Sequence, residues 1–143
     1  MSMSNVECYI KRITDDGSLL AIFVPHKVLS LLDKTTIFTP WEWVIQVGYN
    51  IHHRGDVVEP HYHVRSKSTG DDVAVEVLHV LSGKIKVTLF HPRSGKQVTS
   101  LILEKSDLII MKCGHKVEYL EDSLLLQIKE GPYPGVELDK CYI

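Results

Sequence analysis

Turn residues interrupt this chain at intervals of roughly 8 to 12 positions, and the short runs between them are rich in Val, Ile, Leu, Thr and aromatic side chains. That cadence describes an all-β sandwich or barrel. Segments 7–13 and 19–24 read as two strands, joined by Asp15-Asp16-Gly17, because Asp-Gly readily supplies the positive φ of a tight hairpin. A turn from Thr36 to Pro40 precedes a strand at 41–51. Further strands are expected at 73–81, 84–90, 98–103, 108–111, 116–120 and 123–129, with a hairpin loop at His91-Pro92-Arg93-Ser94-Gly95. Gly131-Pro132-Tyr133-Pro134-Gly135 then takes the chain off the sheet, since proline has no N–H to donate to a ladder. Only segment 26–34, with Val28, Leu29, Leu31 and Leu32, has near-helical spacing, enough for one or two turns.

At 143 residues the chain suits a single domain, residues 1–143, with a barrel core at about 42–130 and N-terminal strands at about 6–40. A formal charge of -2 leaves no electrostatic footprint for nucleic acid, which is therefore not an expected partner. The sequence has no apolar run near the ~18 residues of a membrane span and no charged-then-apolar leader, so no membrane partner is expected and the expected location is the cytoplasm. Cys8, Cys113 and Cys141 are odd in number and irregular in spacing, which fits reduced thiols. The segments at 41–51, 73–81 and 101–103 with 108–111 carry apolar residues on both faces. With Trp41 and Trp43, they predict more apolar surface than one small barrel hides, and hence a homodimer.

The chemistry gathers between Gly55 and Gly83. His61 and His63 flank Tyr62, so in an extended strand both imidazoles point to one side. Glu76 opens the next apolar strand, where a carboxylate needs a partner, and His115 follows Gly114 in a second histidine segment. Three histidines and a glutamate form the mixed nitrogen and oxygen donor set that divalent transition metals favour. Three hydrogen-bonding histidines in a polar barrel mouth are the plainer alternative. Cys113 shares parity with His115 and is an alternative thiolate ligand. His79 faces away from Glu76, and His52 and His53 are expected at the surface. Gln46, Gln127 and Lys129 are polar residues in apolar strands; together with Tyr119 they are candidate contacts to a small anionic or hydroxylated ligand inside the barrel.

These residues resemble the first motif of the cupins, G-x5-H-x-H-x3-4-E-x6-G. Gly55, His61, His63, Glu76 and Gly83 keep every spacing except a longer polar insert between His63 and Glu76. In the second motif, Ser106 stands for a glycine, Asp107 matches, Lys112 stands for a proline, and Tyr119 replaces an asparagine. Gly114 abuts His115 with two residues fewer than the motif has. The resemblance covers about residues 42–130 and implies an all-β double-stranded β-helix, or jelly-roll barrel. It implies a divalent metal (Fe, Mn, Ni or Zn) on His61, His63, Glu76 and His115, with positions open to a small-molecule substrate. The tail K-E-G-P-Y-P-G and the earlier F-T-P look like those of small bacterial cupins, some of which accompany surface-sugar biosynthesis. Gly114 is expected to have the backbone freedom to re-aim His115 across the shortened turn.

The leading expectation is a small metal-binding cupin acting on a sugar-like or small carbonyl substrate. Two alternatives remain open at this point. One is metal-free sugar-nucleotide epimerisation or isomerisation, with His61 as base and Tyr119 or Tyr133 as acid. The other is a module that binds a small ligand without turnover.

Overall fold

The computed structural model describes residues 4–64, 73–132 and 140–143. The first ordered turn is α1 (Ser4–Glu7), followed by β1 (Lys11–Asp15), β2 (Ser18–Phe23), α2 (Val28–Leu31), β3 (Thr36–Ile37), β4 (Ile45–His52) and β5 (Val57–His63). The second half is built from β6 (Glu76–Ser82), β7 (Lys84–Phe90), β8 (Gln97–Glu104), β9 (Leu108–Met111), β10 (Gly114–Tyr119), β11 (Ser123–Glu130) and β12 (Lys140–Tyr142). Two five-stranded antiparallel sheets face each other as a jelly roll, in the orders β12-β5-β10-β7-β8 and β3-β4-β11-β6-β9. β1 and β2 form a separate hairpin. Asp15 pairs with Ser18 in that hairpin, leaving a two-residue loop. Asp16 and Gly17 adopt φ of 48° and 76°, the primed turn that matches strand twist.

The inward faces divide the interior into a dry end and a wet end. Leu78, Val80, Ile85, Val87, Leu103, Met111, Val117, Tyr119 and Leu125 are buried together as the core. Beyond them, Gln46, His61, His63, Glu76, His115 and Gln127 are buried polar residues. Packed apolar side chains therefore carry the fold at one end, and the other end is free to carry chemistry.

Two local expectations are corrected. Residues 7–10 do not extend, because Val6 and Ile10 lie one helical turn apart and both bury against Val28 and Phe38. The strand expected from position 41 begins at Ile45. Trp43 N–H donates to the Pro40 carbonyl at 3.1 Å, and the buried Gln46 amide donates to the carbonyls of Pro40 (2.9 Å) and Trp43 (3.0 Å), which holds 40–43 as a turn. The outer face of β4 is covered where the N-terminal segment packs on Tyr49. β8 and β9 leave Val98, Ile102, Leu108 and Ile110 more than half exposed in the single chain, the apolar excess expected from the sequence. Segment 26–34 contributes one short helix, α2, as its spacing predicts.

Two motif positions acquire physical reasons. Gly83 has φ of 94°, and a Cβ there would strike the Asp122 carbonyl and the Ser123 backbone, so the turn between β6 and β7 requires glycine. Ser106, standing where the cupin pattern has glycine, has φ of 77° and is held by its N–H donating to the Val80 carbonyl at 2.7 Å. The serine thus occupies a left-handed conformation that glycine adopts without steric cost. The insert between His63 and Glu76 lies largely outside the described residues, as does Tyr133.

Candidate metal centre

Strand register assembles the site. β10 pairs with β5 so that His115 lies directly across from His61. The next aligned pair is Val117 with Val58, so β5 has one extra residue, a bulge at Glu59-Pro60. Proline suits that place because a bulge leaves a backbone position out of the ladder. The bulge turns Val58 and His61 both toward the interior although they are three positions apart. His63 follows His61 on the same face, and Glu76 approaches from β6 in the opposite sheet.

The four side chains converge. Their candidate donor atoms all lie within 4.8 Å of one another, and all four residues are buried. His61 Nε2 and His63 Nε2 are 3.3 Å apart, while Glu76 Oε2 lies 2.9 Å from His63 Nε2 and 3.1 Å from His115 Nε2. Donors bound at about 2.0–2.1 Å to one ion stand roughly 3.0–3.4 Å apart in octahedral or tetrahedral arrangements, so these separations suit a shared first-row ion. The shell behind them fixes their orientation. His61 Nδ1 lies 2.7 Å from the Glu59 carbonyl at the bulge, which places the proton on Nδ1 and leaves the Nε2 lone pair facing inward. His115 Nδ1 faces the Cys113 carbonyl at 3.4 Å, and Gln127 donates from Nε2 to Glu76 Oε1 at 2.8 Å.

Glu76 Oε2 is the telling atom. It is buried and, among the described residues, has no hydrogen bond of acceptable geometry, although two imidazole nitrogens face it closely. A buried carboxylate oxygen without a donor is costly, and a cation among the four donors removes that cost. The donor set therefore fits a divalent metal. The ionisation states agree. Burial pushes the Glu76 pKa up, but the imidazoles of His115 and His63 outweigh it and hold the carboxyl well below its usual range. Burial lowers His61 to about 4, so it is neutral at physiological pH, the form that ligates.

A cavity of about 470 Å³ opens in front of these donors; Asn50, His52, Val58, Tyr119, Lys129 and Lys140 are among its lining residues. Gln46, Gln127, Lys129 and Tyr119 all line it. Gln46 spends its amide on the 40–43 turn and Gln127 spends its on Glu76. Tyr119 is buried and its phenol is pushed up by burial and by the charge of Glu76. Cys113 packs against the core, and burial raises its thiol pKa, away from the thiolate. The shortened turn keeps His115 inward. Gly114 does not adopt a left-handed φ; a Cβ there would meet the end of the Ile143 side chain and press on Phe90.

Sequence reasoning placed His52 at the surface, and that is corrected. His52 lines the cavity, stacks on Tyr119 with ring centroids 4.2 Å apart, and has Nδ1 3.3 Å from Asp56. Residue 52 shares parity with Gln46 along β4, which was the available signal. His53 is exposed, as expected. Lys140 was also missed, because β12 is a three-residue strand beyond the proline-rich segment.

Solved structures share this arrangement of strands. An oxalate oxidase in complex with the substrate analogue glycolate superposes with a TM-score of 0.54 at 15% identity, covering 70% of this chain. A single-site variant of oxalate decarboxylase from B. subtilis gives 0.53 at 15% identity over 69% of this chain. KdgF from Halomonas sp. gives 0.50 at 21% identity, covering 67% of this chain and 76% of its own. The chain has the cupin fold. It spans 46% of the oxalate oxidase chain and 24% of the decarboxylase chain. No protein-family model and no curated protein sequence matches it. Among the described residues, no helix is long and apolar enough to cross a membrane.

Proposed function

We propose that this cupin holds a divalent transition metal on His61, His63, Glu76 and His115 and uses it on a small oxygen-bearing substrate, sugar-like or carbonyl, admitted through the cavity. The observation that carries the reading is the buried Glu76 Oε2, which among the described residues has no hydrogen bond of acceptable geometry and faces the Nε2 atoms of two histidines at 2.9 and 3.1 Å. A divalent ion there supplies Lewis acidity, polarising a carbonyl or activating water. The chain's own residues orient the donors. The Glu59 carbonyl sets the His61 tautomer, Gln127 fixes one carboxylate oxygen and thereby aims the other, and the apolar core of Leu78 and Val117 closes the dry side.

The metal-free epimerase reading finds less support. His61 sits against His115 at 4.5 Å between ring centroids, and Tyr119 stacks on His52 instead. We also propose a homodimer that covers the exposed outer faces of β8 and β9; sedimentation of a monomer at micromolar concentration would refute that part. The metal reading is tested by titrating chelator-treated, untagged protein with Mn(II) and Zn(II). One ion per chain with a rise in thermal stability is expected, and no uptake would refute it.

A further inference from the structure

Among the described lining residues of the cavity, the charged ones outside the ligand set are both lysines. Lys129 and Lys140 both line it, and among the described lining residues Glu76 is the only carboxylate. That carboxylate already faces His63 and His115 and takes a hydrogen bond from Gln127. Two ammonium groups therefore outweigh one carboxylate, and a divalent ion on the ligand set adds further positive charge. The described lining thus carries more positive than negative side chains on a chain whose formal charge is -2.

The register makes the placement specific. Lys129 on β11 is the cross-strand partner of Glu76 on β6, and Lys140 on β12 is the partner of His63 on β5. Directly opposed residues of an antiparallel pair share a face, with Cβ atoms about 4.5–5.5 Å apart. Each sheet therefore sets one lysine beside one ligand, and the two approach the same space from opposite walls. Surface lysines on outward faces would have needed no such alignment.

We propose that the ligand of this cavity is a small organic anion, a carboxylate or a phosphate ester, whose charged group is received by Lys129 and Lys140 beside the metal. This rests on the metal reading above and adds the substrate class to it. Lysine meets an oxyanion as a flexible point charge, so the pair selects for charge before shape, and a neutral analogue of equal size should be discriminated against.

The experiment uses ¹⁵N-labelled full chain loaded with Zn(II), with zinc content read first. Amide shift titrations follow with glycolate, glycerol 3-phosphate and neutral glycolamide. At least one anion is expected to bind about tenfold or more tightly than glycolamide, and Lys129→Met and Lys140→Met should each reduce that preference about tenfold while keeping zinc. Lys129→Arg should retain it. The glycolate and glycerol 3-phosphate arms tell a carboxylate from a phosphate ester. Zinc-loaded protein that binds glycolamide as well as both anions overturns the anion assignment and leaves the metal reading standing, as does an anion preference that survives both methionine variants. Wild-type protein that takes up no zinc overturns the metal reading and this proposal with it.

Discussion

Gln127→Met removes one hydrogen bond without opening a large cavity, and the structure assigns that bond a definite task. Gln127 donates to Glu76 Oε1 at 2.8 Å, with both residues buried. Methionine keeps the length and approximate volume but offers no donor, so a buried carboxylate oxygen loses its partner. Hydrogen bonds to charged groups are worth about 1.5–3 kcal/mol, and an orphaned buried acceptor costs about 1–3 kcal/mol. A cost of about 2 kcal/mol against an unfolding entropy of about 2.1 cal/mol/K per residue lowers Tm by roughly 7 °C for a chain of this length. Because the same bond orients a ligand carboxylate, metal affinity should also fall about 10–100-fold. The assays are calorimetric melting of the metal-free protein and competitive metal titration against a chromophoric chelator. A Tm within about 1 °C of wild type, together with unchanged affinity, would refute the claim that Gln127 supports Glu76.

Ser106→Gly should stabilise the protein by about 1 kcal/mol, since the serine occupies a left-handed φ that costs a residue with Cβ about 1–2 kcal/mol; an unchanged or lower urea midpoint would count against the backbone assignment. Stability of the metal-free protein should fall as pH drops. Burial holds the folded His61 at about 4, below the unfolded value of about 6.5, so the contribution is present above about 6.5 and is lost as pH falls toward 4. Urea midpoints that stay flat across that window would contradict the buried, neutral assignment.

The parts of this account legible in the sequence are those with a period or a spacing. Alternation marked the strands, Asp16-Gly17 marked the first turn, and the H-x-H spacing placed two imidazoles on one face. Registers were not legible, because they depend on which strands meet. The bulge at Glu59-Pro60, which brings His61 across from His115, is visible only once β5 and β10 are paired. The same holds for Lys140, whose role comes from standing opposite His63. His52 was misplaced because adjacent histidines give no parity of their own, and β4 supplies it only when its inward face is known. The inward course of His115 after a shortened turn follows from its place opposite His61, a pairing of strands distant in the chain.

Metal content of untagged wild-type, His115→Ala and Cys113→Ser proteins, measured together by mass spectrometry, tests the four-ligand centre most directly. About one ion per chain is expected in wild type and Cys113→Ser and a loss of most metal in His115→Ala, since removing one ligand of a preformed set costs much of its affinity. Metal retained by His115→Ala and lost by Cys113→Ser would contradict it and hand the fourth position to the thiolate.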